Sequence, residues 1–265
     1  MNTTTIQWTE LSWNPTTGCD KISPGCKHCY VEAITRRFKN GFVNGFDFTI
    51  HPDRFEAPRH WKKPARIFVN SMSDLFHEEM PPEVLKQLFA VMRDCPQHIF
   101  QILTKRHRRL AELAPDLEWH PNIWIGVSVE NQVLADERIS CLVSAPARVR
   151  FLSAEPLLEP VELKLSGINW VIVGGESGPR CRLFRPDWAR SIRNQCARAG
   201  VAFFLKQLGG HPDKRDCLTD FPSDLRIREY PTNVPCKLSI DLAQRLNEKP
   251  GFELRDREGI SGALR

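Results

Sequence analysis

From about residue 66 onward the chain repeats one pattern. A short run of nearly continuous apolar residues ends in polar ones, and a stretch with apolar residues at helical spacing follows. The apolar runs predict strands over 66–70, 98–103, 123–127, 149–152, 169–173 and 201–205. Helices are predicted over Pro82–Arg93, 108–113, about 133–143, and Pro186–Ala199. The first carries Leu85, Leu88, Phe89 and Met92 on one face. The last begins at a proline, has Asp187 in its first turn and ends before Gly200. Upstream, 6–13 reads as the approach to a first strand. The segment 30–39 reads as a helix stopped by Asn40-Gly41, and 41–64 as a long aromatic and Pro-containing connection with no clear period. A weak strand at 225–227 and a weak helix at 238–246 are the only elements predicted beyond Leu208.

Apolar strands alternating with amphipathic helices make a parallel sheet buried on both faces. The predicted fold is α/β, a partial or full (βα) barrel of six to seven βα units, with an open doubly wound sheet as the alternative. The barrel occupies residues 1–210, including an N-terminal three-cysteine loop, and 211–265 forms a mostly irregular extension. In either architecture ligands collect at the C-terminal ends of the strands, where each run turns polar. Those tips supply Ser71, Ser73 and Asp74, then Thr104 and Lys105, Ser128 and Glu130, and Ser153 and Glu155. Gly174, Gly175 and Glu176 follow, and finally Lys206 and Gln207. Any one tip is explained by helix capping; six on one face point to a site.

The 13–30 stretch, WNPTTGCDKISPGCKHCY, adds chemistry. Cys19, Cys26 and Cys29 lie with six residues between the first pair and two between the second, among Pro and Gly turn residues. The other six of the nine cysteines are scattered and read as small buried hydrophobes. Three clustered thiols suit a metal centre with a position left open. An iron–sulfur cluster, a zinc site with a further ligand, and no metal at all remain open on spacing alone. A cluster with a free iron suits S-adenosylmethionine, whose amino and carboxylate groups can chelate it.

Composition narrows the class little further. With 41% apolar and 26% charged residues, the 265-residue chain has the makings of a large core. A net charge of +5 mildly favours an anionic partner. No apolar run reaches membrane-spanning length, and the N-terminal MNTTTIQWTE has no basic start or apolar core. No membrane association and a cytoplasmic location are therefore expected. Basic residues at 105–109, and Lys62, Lys63 and Arg66 beside His60 and Trp61, suggest contact with a nucleic acid or nucleotide; a solvated helix start explains Arg106 to Arg109 equally well.

The phrases WNPTTGCDKISPGCKHCY, HPDRFEAPRHWKKP, FVNSMSDLFHEE, FQILTKR, IGVSVEN, RFLSAEPLL, WVIVGGESG and FFLKQLGG together resemble a phage-associated three-Cys-motif family of unknown function. That family is similar in turn to radical S-adenosylmethionine proteins. The resemblance implies a radical-SAM-like barrel holding a 4Fe-4S cluster on Cys19, Cys26 and Cys29, with S-adenosyl-L-methionine as second cofactor. It also implies an electron donor and a dedicated protein partner. The cysteine spacing departs from the usual radical-SAM interval of three residues then two. Cofactor contacts are expected from Ser71, Ser73 and Asp74, from Lys105, Ser128 and Glu130, and from Gly174 and Gly175. Catalytic contacts are expected from Glu155, Glu176 and Lys206. The expected activity is modification or repair of a nucleic acid or nucleotide through a 5′-deoxyadenosyl radical. The alternatives are a zinc-stabilised hydrolase with a carboxylate site, and a non-catalytic metal-stabilised nucleic-acid-binding phage or defence protein.

Overall fold

A computed structural model of the chain describes residues 4–232. The chain enters with β1 (Leu11–Trp13) and β2 (Thr16–Thr17), passes the cysteine loop and forms α1 (Tyr30–Arg37). The long connection contains β3 (Thr49–Ile50), which pairs antiparallel with β2, and is otherwise built of short turns. Then come β4 (Arg66–Val69), α2 (Pro82–Arg93), β5 (Ile99–Thr104), α3 (His107–Leu113), β6 (Ile123–Ser128) and α4 (Gln132–Ser144). The last units are β7 (Arg150–Ala154), β8 (Trp170–Gly174), α5 (Pro186–Ala199) and β9 (Ala202–Gln207). The predicted strand ends move by one or two residues, and the β7–β8 crossover carries no helix. Seven strands form one sheet in the order β1-β4-β5-β6-β7-β8-β9, every neighbour parallel.

The sheet is curled, and the side chains show it. Within each strand alternate residues fall into two separate apolar clusters. Ile67, Val69, Ile102, Ile125, Val127, Val171 and Val173 pack with residues of α2, α4 and α5. Phe68, Trp124, Phe151, Trp170 and Phe204 point the other way and meet around Trp8. The Trp8 ring lies 4.6 Å from Phe68 on β4 and 6.2 Å from Trp170 on β8. Four strand spacings of about 4.8 Å separate β4 from β8 in a flat sheet. One indole can reach both only where the sheet bends round it. The result is a half-barrel with its lower interior plugged by aromatics, which realises the predicted partial barrel rather than the open sheet.

The edges β1 and β9 do not pair with each other. Residues after β9 lie across the lower part of this gap. Tyr230 stacks with the Arg66 guanidinium at 4.1 Å and with Trp170 at 5.2 Å, and its hydroxyl donates to Gln7 O. The predicted strand at 225–227 is corrected to a tight turn, Ser223–Leu225, with Arg228 alone bridging Phe204. Pro222 starts that turn, and burying Leu225 in the outer core takes precedence over strand alternation. The predicted helix at 238–246 lies outside the described residues.

Trp170 sits at the centre of the aromatic plug and is fully buried. Trp170→Ala is expected to lower unfolding free energy by about 3–5 kcal/mol, measured by urea denaturation. A loss under about 1 kcal/mol would show that the plug does not organise the half-barrel.

Candidate functional site

The cysteine loop lies over the C-terminal ends of the strands, held there by strand-tip groups. Glu130, two residues past β6, is wholly buried. Its Oε1 accepts from Ser23 Oγ at 2.7 Å and from Arg138 Nη1 at 3.2 Å, and its Oε2 accepts from Gly25 N at 2.9 Å. Lys105 Nζ stands 3.7 Å away and also donates to Ser128 Oγ at 2.9 Å. Burial alone raises a carboxyl pKa. Here Lys105 and Arg138, with the Ser23 and Gly25 bonds, outweigh it and hold Glu130 below the ordinary carboxylate value. Gly25 admits no side chain, because a Cβ there would stand 2.5 Å from the Glu130 carboxyl carbon.

A second carboxylate grips the loop further along. Glu176 accepts from Arg182 Nη2 at 2.6 Å and Nε at 2.9 Å, and pairs with His28 Nδ1 at 3.2 Å. Arg182 Nη1 then donates to Pro24 O at 2.9 Å. The loop between Cys19 and Cys26 thus ends in a short turn, Pro24–Cys26, with Cys29 as N-cap residue of α1.

Cys19 belongs to another network. Its N–H donates to Phe46 O at 2.9 Å, and its Sγ lies 3.4 Å from Arg106 Nη1. Burial pushes the Cys19 thiol up to about 11, with Asp74 adding to the rise and Arg106 opposing it. Asp74 is engaged by protein donors on both oxygens: Thr104 Oγ1 at 2.7 Å, Phe76 N at 3.0 Å, Lys105 N at 2.9 Å and Arg106 Nη1 at 3.3 Å. Ser73 Oγ donates to Gly18 O, and Ser71 Oγ to Asn14 Oδ1 at 3.1 Å.

The remaining tips face the interior above the aromatic plug. Glu155 Oε1 accepts from Lys206 Nζ at 2.6 Å and Gln207 Nε2 at 2.8 Å. Gly174 lies against the Glu155 carboxyl. Gly175 packs instead on Leu208 O and Phe184, so its missing side chain serves a backbone contact. The expected site residues therefore divide. Glu130 and Glu176 hold the loop and Asp74 organises the β4 and β5 tips, while Lys105, Ser128, Glu155 and Lys206 line the interior. Of the basic groups read as nucleic-acid contacts, Arg66 and Arg106 are buried, whereas Lys62, Lys63 and Arg108 are exposed. Of the scattered cysteines, Cys95 and Cys196 are buried as expected, Cys141 and Cys181 are partly exposed, and Cys217 is exposed; Cys236 lies outside the described residues.

Sequence reasoning missed Ser23, Arg138 and Arg182. Arg138 had a signal: it shares the buried face of α4 with Ala135, Ile139 and Leu142. A lone arginine on an apolar face needs a buried anion. Among the described residues, one trio of ligand side chains has all its donor atoms within 4.8 Å of one another: Asp20, His77 and Glu79. Burial, then Arg106, holds the His77 pKa below its ordinary value, and Nδ1 accepts from Glu79 N at 3.2 Å. Nε2 stands 3.2 Å from Asp20, so the trio is one buried imidazole between two exposed carboxylates.

Glu130→Gln leaves Arg138 and Lys105 without their counter-charge, and a loss of about 3 kcal/mol is expected, with faster trypsin cleavage at Lys21 and Lys27. Because the folded pKa of Glu130 is depressed, its contribution is complete above about pH 4.3. It fades as pH falls through the lower folded value. Wild type and variant should therefore converge in urea stability in acid; a constant gap down to the acid transition would contradict the assignment.

Two solved structures share this fold over much of its length. A cysteine-to-alanine mutant of spore photoproduct lyase, with dinucleoside spore photoproduct, superposes with a TM-score of 0.52 at 12% identity, covering 74% of this chain and 77% of that one. A cysteine-to-serine mutant of the same lyase gives 0.51 at 11% identity with the same coverage. At such identity the likeness is one of fold. No curated protein matches. A family model described as "Protein of unknown function (DUF5131)" matches residues 3–258, nearly the whole chain, and the chain belongs to that family.

Proposed function

We propose that the protein is a radical S-adenosylmethionine-type iron–sulfur enzyme acting on a nucleic acid or nucleotide. The observation that carries this reading is the placement of the cysteines. Cys19, Cys26 and Cys29 share one loop over the strand tips of a half-barrel, and that loop is pinned by Glu130 and Glu176. The donor set fits a cluster: three thiols on one loop can hold three irons and leave the fourth open, whereas a closed zinc site needs a fourth protein ligand. A buried cation beside Cys19 also suits an anionic thiolate cluster.

Cys19, Cys26 and Cys29 would hold a 4Fe-4S cluster and leave one iron for S-adenosyl-L-methionine. Bound there, the pair supplies one-electron cleavage of the sulfonium to a 5′-deoxyadenosyl radical. The protein's own part is positioning. Ser71, Ser73 and Asp74 border the loop beside Cys19, and Lys105 and Ser128 face the interior below it. Among the described residues no protein donor bonds Glu155 Oε2, so that oxygen is available to a ligand hydroxyl or amine, with Lys206 fixing the carboxylate from the other side. Tyr30, next to Cys29, is 54% exposed and offers an aromatic face at the mouth.

The nucleotide part rests on Arg108 and Tyr30, exposed at the strand-tip end, and on fold likeness to a lyase solved with a dinucleoside photoproduct. The exposed Lys62 and Lys63 precede β4, beside the start of β5 at the opposite end of the sheet, and take no part. An external electron donor and a protein partner complete the proposal. Among the described residues no helix is long and apolar enough to cross a membrane. The hydrolase reading loses support because Glu130 and Glu176 are committed to the loop. The binding-module reading leaves the Glu155–Lys206 pair without a role.

The test is anaerobic reconstitution with iron and sulfide, then addition of S-adenosylmethionine and dithionite. Wild type is expected to show absorbance near ~400 nm and to release 5′-deoxyadenosine, and Cys26→Ala to do neither. Stoichiometric zinc without iron uptake, or full cluster content in Cys26→Ala, would refute it.

A further inference from the structure

Arg106 is the buried basic residue closest to the proposed cluster, and the nucleotide reading does not use it. It follows Lys105 at the β5 tip and is 4% exposed. Glu78 Oε2 accepts from its Nε at 2.6 Å, and Asp74 Oδ2 stands 3.3 Å from its Nη1. The same Nη1 lies 3.4 Å from Cys19 Sγ. Its Nη2 is buried with no hydrogen-bond partner. A buried guanidinium nitrogen left unpaired is costly unless something beside it accepts. The two carboxylates therefore aim one fork of the guanidinium at a cysteine sulfur and leave the other buried next to it.

We infer that Arg106 is a positioning residue for the metal centre: it donates to the Cys19 thiolate and raises the reduction potential of the cluster held there. This rests on the iron–sulfur reading above. The physical reason is electrostatic. One-electron reduction adds a negative charge to the cluster, the electron coming from an external donor. A fixed cation in a desolvated position beside a ligand sulfur stabilises the reduced form more than the oxidised one. Two carboxylates offset part of that field: the buried Asp74, fixed beside the same Nη1, and Glu78. Asp74 is common to wild type and every variant, so the differences between them read Arg106 and Glu78. The Glu78 side chain is 62% exposed, so it screens Arg106 without being needed to fill the core.

This arrangement predicts shifts of opposite sign, which a purely structural role would not produce. In the reconstituted full-length protein, the cluster midpoint potential is read by dithionite titration, following bleaching of the visible band. Arg106→Gln is expected to move the midpoint to more negative potential. Arg106→Lys keeps the charge but loses the fork, and should fall between that variant and wild type. Glu78→Gln removes the offsetting charge and should move it to more positive potential. Arg108→Gln, which changes net charge equally at an exposed neighbour, should leave it in place. If Arg106→Gln does not fold, Glu78→Gln and Arg106→Lys carry the test. Midpoints that coincide with wild type, or move in the same direction for Arg106→Gln and Glu78→Gln, overturn the inference while leaving the cluster reading standing. A wild-type protein that takes up no cluster overturns both.

Discussion

The buried carboxylate of Glu130 is the constraint on which the site depends. A charge at zero exposure is tolerable only if donors surround it, and its donors come from three places at once. Arg138 comes from α4, Lys105 from the β5 tip, and Ser23 and Gly25 from the cysteine loop. Satisfying one carboxylate therefore fixes the helix, the strand tip and the loop relative to one another. The loop is too short and too rich in Pro and Gly to pack a core of its own. It is placed by this charge and by the Glu176–Arg182 pair.

The half-barrel supplies the platform. Its outer face is packed by helices and its lower interior by aromatic rings, so polar groups at the upper interior are the ones left facing open space. Strand alternation makes this division automatic. On β5, Ile102 packs outward while Lys105, past the strand end, turns to the interior. On β8, Val171 and Val173 face the helices while Trp170 closes the floor and Gly174 leaves room beside Glu155.

Much of this was legible in the chain. The apolar runs located the β4 to β9 strands to within one or two residues, and proline and glycine marked the ends of α5 with φ +69° at Gly200. The polar tips marked the end of the sheet that carries the site. Roles were harder to read, because a carboxylate at a strand tip looks the same whether it meets ligand or protein. Glu130, Glu176 and Glu155 follow their strands at similar offsets, yet Arg138 and Arg182 claim the first two, and Lys206 and Gln207 leave the third one oxygen. Arg106 sat inside a basic run that suggested solvent or phosphate. Its burial depends on Asp74 and Glu78 coming together across a turn, which no local pattern reveals. The strand predicted at 225–227 gives way to a turn at Ser223–Leu225 and an irregular stretch after it, because one buried leucine sets no alternating period.

The central claim is that three cysteines on a pinned loop leave one coordination position open. Mössbauer spectroscopy of protein reconstituted with isotopically enriched iron tests it directly. Addition of S-adenosylmethionine should change the spectrum of a single iron site in the cluster and leave the others as they were. A spectrum that does not respond, or that shows iron without cluster signatures, would contradict the account.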